Sequence, residues 1–232
     1  MKAILFCGGE GTRLSPLTSQ IPKPMIPLQG KTVIEHLFDL FKKYGIKDII
    51  LTTCYLKEKF KEYFGNGKKF GVNILYIEEE TLLGTANHIA LAKQHLNETF
   101  LVSNGDELKE IDLEDMIRQH KETKAIATLA IREVLDPSKY GAVRLRGNQI
   151  LEFVEKPQLE EAPPHFINAG LYIMEPEILK HIPENYTMLE TGVFPKLAKE
   201  GRLYGYKFKG QWFDTGTFER YEEAKQKWKG LK

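Results

Sequence analysis

The chain has 232 residues, 42% hydrophobic and 28% charged, enough apolar matter for one folded core and too much for a disordered chain. Thirty-three Lys and Arg stand against 32 Asp and Glu, a net charge of +1, which excludes a protein whose main work is coating nucleic acid or an anionic membrane. The longest apolar runs, such as Ile46 to Thr53 and Ile167 to Met174, are strand-sized and far short of the roughly 20 residues of a membrane helix. The chain opens directly on a strand-like MKAILFCGG, whose apolar stretch is too short for a signal peptide, so the expected location is cytoplasmic. Cys7 and Cys54 lack the spacing of a zinc or redox pair and read as small apolar residues of a reducing compartment. Charge is unevenly spread: residues 76–115 hold ten acidic and two basic side chains, net −8, and residues 193–232 hold ten basic and five acidic, net +5.

Short β-branched runs alternate with longer helical ones, the pattern of an α/β domain with a mostly parallel sheet. Residues 2–6 read as the first strand. Residues 32–44 place Val33, Leu37, Phe38, Phe41 and Tyr44 on one helical face, with Gly45 as its stop. Strand 48–52, helix 56–64, strand 72–77, helix 85–95 and strand 99–102 follow. Asp112 reads as the N-cap of a helix to about Lys121. Strands near 125–131, 142–146, 150–154 and 167–173 make the second half mixed, with closing helices near 175–181, 190–199 and 217–229. No internal repeat or low-complexity linker divides the chain.

After the first strand, residues 7–25 read CGGEGTRLSPLTSQIPKPM, with neither helical nor strand periodicity. Gly8, Gly9 and Gly11 remove side chains where phosphates approach a backbone closely, and Arg13 adds a forked cation. A dinucleotide fingerprint is absent, because Leu14 stands where GxGxxG needs its last glycine, and no P-loop GK[ST] follows. An ordinary strand-to-loop turn would show the same glycines. Lys23 lies between Pro22 and Pro24, which restricts it to extended backbone and aims its side chain; a solvated lysine in a rigid loop is the plain alternative.

The run GGEGTRLSPLTSQIPKPM resembles the signature of the sugar-1-phosphate nucleotidyltransferases, written loosely GGxGTRLxPLTxxxPKP. The resemblance continues in order through LGTA (83–86), NGDE (104–107), YGAV (140–143), FVEKP (153–157), NAGLYIM (168–174) and WFDTGT (212–217), and so covers essentially the whole chain. It implies a Rossmann-like α/β/α sandwich with a mixed, mostly parallel central sheet. It also implies one catalytic domain, with a nucleotide-binding half over 1–110 and a sugar-phosphate-binding half over 111–232. The expectation is a chain without the C-terminal β-helix of longer relatives, in which any homo-oligomer uses this domain's own surface.

The implied reaction is attack by a sugar-1-phosphate oxygen on the α-phosphorus of a nucleoside triphosphate, with loss of pyrophosphate. Such in-line transfer needs positioning and charge neutralisation more than a protein nucleophile. By resemblance, Gly8, Gly9, Gly11 and Thr12 line the nucleotide together with Gly84 and Thr85. Arg13 holds the triphosphate and Lys23 approaches the α-phosphate. Asp106 and Asp214 are implied as the ligands of Mg²⁺, which takes few protein oxygens and keeps phosphate and water. Taken singly, Asp106 reads as a turn residue after Gly105 and Asp214 as a helix cap. Lys156 is implied as the sugar-phosphate contact and Glu155 as an acceptor for sugar hydroxyls, with Gly141 and Asn168 in the same pocket. A hairpin-end salt bridge would also explain Glu155 and Lys156, and a buried turn amide Asn168. Glu107 and Glu110 are expected to be solvated.

Where thymidylyl members carry a base-reading glutamine, this chain has the acidic run 78–80. Glu79 is placed there: an acceptor-only carboxylate matches the adjacent N1–H and 2-amino donors of guanine; a solvated strand end is the plain alternative for the same acidic run. Together with PKPM and LGTA, this resemblance implies GTP and mannose 1-phosphate as the favoured substrates. The alternatives are uridylyl or thymidylyl transfer to glucose 1-phosphate, guanylyl transfer to a heptose 1-phosphate, and a catalytically silent nucleotide-sugar sensor. A metal-dependent glycosyltransferase would require a DxD motif, which NGDE is not.

Overall fold

The computed structural model describes residues 1–80, 84–163 and 165–232; Leu83, which opens the LGTA segment, lies outside the described residues. In chain order the strands and helices of the first half are β1 Ala3–Cys7, β2 Pro27–Leu28, β3 Lys31–Thr32, α1 Val33–Lys43, β4 Asp48–Thr53, α2 Lys57–Phe64, β5 Asn73–Glu78, α3 Thr85–Leu91, β6 Phe100–Asn104, β7 Glu107–Lys109 and α4 Leu113–Thr123. The second half adds β8 Ala127–Glu133, β9 Gly141–Arg146, β10 Gln149–Glu155, β11 Phe166–Met174, α5 Phe194–Lys199, β12 Leu203–Lys207, β13 Trp212–Asp214 and α6 Phe218–Lys227. The chain forms two compact units, one of Met1–Leu82, Ser103–Ile111 and Gly210–Lys232, the other of Leu83–Val102 and Asp112–Lys209.

In the first unit β1, β4 and β5 are parallel, with Ala3 opposite Ile49 and Asp48 opposite Asn73. The apolar runs of β1 and β4 are continuous because both faces are covered, whereas β5 is an edge strand with only exposed and half-buried residues. Helix α1 starts on a reciprocal cap: Thr32 Oγ1 accepts from the Glu35 N–H at 3.3 Å, and Glu35 Oε2 accepts from the Thr32 N–H at 2.7 Å. Leu14, Ile26, Leu28, Val33, Leu108, Tyr221, Ala224 and Trp228 form one buried cluster, against which Phe213 packs. This cluster anchors the loop after β1, the strand β7 and the last helix on a common floor.

In the second unit β8 and β12 are parallel, while β10 is antiparallel to β9 and β12, and β11 to β8 and β9. The sheet is thus of the expected mixed α/β kind. Gly205 in β12 pairs with Leu129 of β8, and a Cβ there would lie 2.5 Å from the end of the Ile131 side chain, which would have to shift.

Several sequence expectations are corrected. Strands β7, β12 and β13 have no strand signal long enough to read: two are three-residue pieces, and the third is broken by Gly205. The helix expected over 85–95 ends at Leu91, the 175–181 helix is a 3₁₀ helix over Pro176–His181, and the 190–199 helix begins as a π-turn, Leu189–Val193. Lys23 is not extended. Lys23–Met25 is a 3₁₀ turn, closed by Met25 N–H to Pro22 O at 2.8 Å and Ile26 N–H to Lys23 O at 3.2 Å. Burial of all three residues outweighs the bias that Pro24 imposes on its neighbour.

Among the described residues no helix is long and apolar enough to cross a membrane. Helix α3 carries a buried histidine, His88, whose burial pushes its pKa down to about 4. A histidine held neutral contributes stability that is fully present above the unfolded value near 6.5 and is lost as pH falls toward 4, up to roughly 3 kcal/mol. Urea unfolding of His88→Leu between pH 6.5 and 4 should therefore show a shallower loss of stability than wild type; equal slopes would remove His88 as the source.

Candidate active site

Four of the expected site residues meet in the first unit. Gly105 N–H donates to Phe6 O at 3.0 Å, which places the turn before Asp106 at the carboxyl end of β1. A side chain at Gly105 would meet Phe6 O and Cys7 Sγ, each at 2.8 Å. From more than a hundred residues on, β13 pairs antiparallel with β7, Asp214 opposite Glu107 and Trp212 opposite Lys109. Thr215 completes the junction: its N–H and Oγ1–H both donate to Asp106 O, at 3.1 and 2.8 Å. Two carboxylates, remote in sequence, are thereby fixed on adjoining segments, Asp106 in the turn before β7 and Asp214 at the end of β13.

Each carboxylate carries its own countercharge. Lys23 Nζ is paired with Asp106 and Arg220 with Asp214, which also accepts from the Gly216 N–H at 2.6 Å. Burial raises the Asp106 carboxyl, but Lys23 and then Lys109 hold its pKa below the usual carboxylate range. Asp214 is no helix cap, because Thr217 caps α6 and accepts from the Arg220 N–H at 3.4 Å.

The glycine loop packs directly on the lysine. A Cβ at Gly11, whose φ is +66°, would lie 3.0 Å from Lys23 Cβ, so this position needs glycine for both conformation and space. Thr18 Oγ1 donates to Gly11 O at 2.8 Å and steadies the loop. Gly8 is buried, Gly9 is exposed with nothing within 4 Å of its ideal Cβ, and Thr12 and Arg13 are exposed. Arg13 Nη2 lies 3.4 Å from the Cβ position of Gly216, beside the Asp214 carboxylate. Glu79 follows β5, is buried at 3% exposure, and its N–H donates to Thr53 O at 2.8 Å. It is not part of a solvated strand end, unlike Glu78, which pairs with Lys57 and Lys61.

The acidic pair expected to be solvated is corrected in one member and modified in the other. Glu107 is buried, and its carboxylate accepts from Asn104 Nδ2 and Trp212 Nε1, each at 2.7 Å. Its pKa is raised by burial, against the opposing charge of Lys109. Glu110 accepts from Gln211 Nε2 at 2.9 Å.

The remaining candidates belong to the second unit. Gly84 has φ +94° and no room for a Cβ, which would strike Thr187 O and lie 3.3 Å from Met188 Sδ. The Thr85 hydroxyl is committed inside the protein, donating to Glu190 Oε2 at 2.7 Å and accepting from the Leu189 N–H at 2.8 Å. Glu190 escaped the sequence reading because it lies in an irregular π-turn; burial raises its pKa.

Gly141 and Glu155 are register partners across β9 and β10, and a Cβ at Gly141 would run into the Phe153 ring and lie 3.0 Å from Glu155 Oε2. Asn168 follows Ile167, the partner of Ala142, and so falls alongside Gly141. Its amide donates to Tyr172 Oη at 2.9 Å and its carbonyl accepts from the Gly170 N–H at 3.0 Å. Lys156 is exposed, pairs with Glu155 at 3.4 Å, and adopts φ +46°. That conformation is strained for a residue that is neither Gly nor Asn, and such strain clusters at functional sites. Gly141, Glu155, Lys156 and Asn168 thus share one end of the β9–β10–β11 surface.

Among the described residues no group of three or more His, Cys, Asp or Glu side chains is placed to hold a metal ion. Asp106 and Asp214 nevertheless fit a hard divalent cation by donor chemistry: two carboxylates on a braced junction suit an ion that takes few protein oxygens.

The nucleotidyl transferase family model matches residues 2–229. Mannose-1-phosphate guanyltransferase beta-A of Xenopus laevis is 38% identical over 222 residues, covering 93% of this chain and 61% of that protein. A UTP–glucose-1-phosphate uridylyltransferase of Synechocystis sp. is 36% identical over 241 residues, covering 97% of this chain and 62% of its own length. Among solved structures, a UDP-glucose pyrophosphorylase complexed with UDP-glucose superposes with a TM-score of 0.84 at 27% identity, covering 97% of each chain. The chain spans about three fifths of the length of the curated relatives it matches. It belongs to the nucleotidyl transferase family.

Proposed function

We propose that the protein transfers a nucleotidyl group from a nucleoside triphosphate, GTP in preference, to a sugar 1-phosphate, mannose 1-phosphate in preference. A phosphate oxygen of the sugar attacks the α-phosphorus, the bond to the β-phosphate oxygen breaks, and NDP-sugar and pyrophosphate result. The observation that carries this reading is the gathering of Lys23, Asp106 and Asp214, with Arg13 beside them, around a junction braced by Thr215. Two cations and two carboxylates are what a crowded phosphoryl centre asks of a protein.

Asp106 and Asp214 would hold Mg²⁺, which when bound supplies charge neutralisation at the phosphates. The open backbone around Gly9 admits the triphosphate, and Arg13 balances the charge that develops on the leaving pyrophosphate. Lys23, fixed in a turn that Gly11 abuts, offers its ammonium to the α-phosphate. Glu79, buried and facing away from bulk water, is the candidate reader of the base edge. Glu155 and Asn168 would bond sugar hydroxyls, with Lys156 on the sugar phosphate. Gly84 and Thr85 would act by shaping the backbone, since the Thr85 hydroxyl is engaged by Glu190.

A second reading, uridylyl transfer to glucose 1-phosphate, is favoured by the Synechocystis relative and by the UDP-glucose-bound structure. Pyrophosphate release from the four NTPs, each paired with a panel of sugar 1-phosphates, separates them. GTP with mannose 1-phosphate should turn over fastest; UTP with glucose 1-phosphate in first place would establish the second reading. Binding of NDP-sugar with no turnover of any pair would instead identify a sensor.

Asp106→Asn and Asp214→Asn should each lower kcat by about 10²-fold or more, with the thermal midpoint little changed. Wild-type turnover in both would contradict the carboxylate assignment. Lys23→Met should lower kcat more than nucleotide affinity, because its charge matters most where negative charge accumulates in the transition state; a pure KM effect would assign Lys23 to ground-state binding.

A further inference from the structure

Beneath the two cation-facing carboxylates lies a second, buried set of charges that the proposed chemistry does not use. Glu107 is 7% exposed and Lys109 is 1% exposed. Glu107 Oε1 accepts from Asn104 Nδ2 at 2.7 Å, while Oε2 accepts from Trp212 Nε1 at 2.7 Å and faces Lys109 Nζ at 3.4 Å. Lys109 Nζ also donates to Ser103 Oγ at 3.1 Å. One oxygen of Glu107 is thus tied to the residue two before Asp106, and the other to the residue two before Asp214.

Stability alone is a poor reason for this arrangement. A buried ion pair gains little over well-packed apolar residues of the same volume, and the cluster around Leu108 already supplies apolar packing on the neighbouring face. Directional bonds do what apolar contacts cannot. The β7–β13 ladder is only three pairs long, Trp212–Lys109, Phe213–Leu108 and Asp214–Glu107. A slip of one residue would turn Asp214 to the opposite face. The Trp212 indole N–H meets one carboxylate oxygen in one register only, so the bond locks the ladder where both aspartates are presented.

We propose that Glu107 is a positioning residue: through Asn104 and Trp212 it fixes the mutual placement of Asp106 and Asp214, and so sets the affinity of that pair for a divalent cation. This rests on the cation-binding reading of the two aspartates. Lys109 balances the Glu107 charge and, anchored on Ser103, keeps the carboxylate from rotating toward the site.

The test is Mn²⁺ affinity of the full chain, measured by electron paramagnetic resonance well below the thermal midpoint. The variants are Trp212→Phe, which keeps a ring and removes the N–H, and Asn104→Ala, which removes the other anchor. Asp106→Asn and Asp214→Asn serve as references. The expected result is a loss of about tenfold in Mn²⁺ affinity for Trp212→Phe and for Asn104→Ala, in proteins that remain folded by circular dichroism. If the aspartate variants lose Mn²⁺ while both anchor variants keep wild-type affinity, the positioning role is overturned and the cation site stands. If the aspartate variants also bind like wild type, the cation reading fails and this inference fails with it. Should one anchor variant not fold, the other decides on the same criterion.

Discussion

The constraint on which the first unit turns is electrostatic: Asp106 and Asp214, more than a hundred residues apart in sequence, are brought to one backbone junction, and each needs a countercharge there. Like charges at short range cost free energy unless each has a partner. The fold meets this with Lys23 on Asp106 and Arg220 on Asp214, and with a mechanical brace, the paired Thr215 donors on the Asp106 carbonyl. Much else follows. The 3₁₀ turn that fixes Lys23, the glycine it packs against, the short β7–β13 ladder and the cluster from Leu14 to Trp228 all hold one of these groups in place.

The second unit works by a different logic. Strand register, rather than ion pairing, brings Gly141, Glu155 and Asn168 to one end of three neighbouring strands. Glycine at 141 makes room for the Phe153 ring, which a Cβ would meet at 2.4 Å, and for the Glu155 carboxylate at 3.0 Å. Lys156 follows the last residue of β10 with a left-handed φ of +46°, and its ammonium lies 3.4 Å from the Glu155 carboxylate.

Long parallel strands and helix α1 were legible in the sequence because their signals are local: an unbroken apolar run, and one apolar helical face from Val33 to Tyr44 stopped by Gly45. The glycine loop was legible through its motif, and the residues of WFDTGT through theirs. What escaped is non-local. Three-residue strands such as β7 and β13 exist only because each finds the other, and nothing within Glu107–Lys109 announces a partner a hundred residues away. Glu107 looked solvated because a charged residue usually is; its burial depends on Trp212 and Asn104. Lys23 was expected to be extended from its flanking prolines, and tertiary burial overrode that preference. The Thr85 hydroxyl, aligned by motif with the nucleotide, is engaged by Glu190, a partner visible only once the π-turn has formed.

The central claim is that Asp106 and Asp214 act together as one cation-binding pair at the phosphates of a nucleotide sugar. Anomalous diffraction from crystals grown with Mn²⁺ and GDP-mannose tests it most directly. The account predicts a peak within coordination distance of both carboxylates and of the diphosphate, with Lys23 displaced from Asp106 toward phosphate oxygen. A peak held by other residues, or a diphosphate bound away from both aspartates, would contradict it.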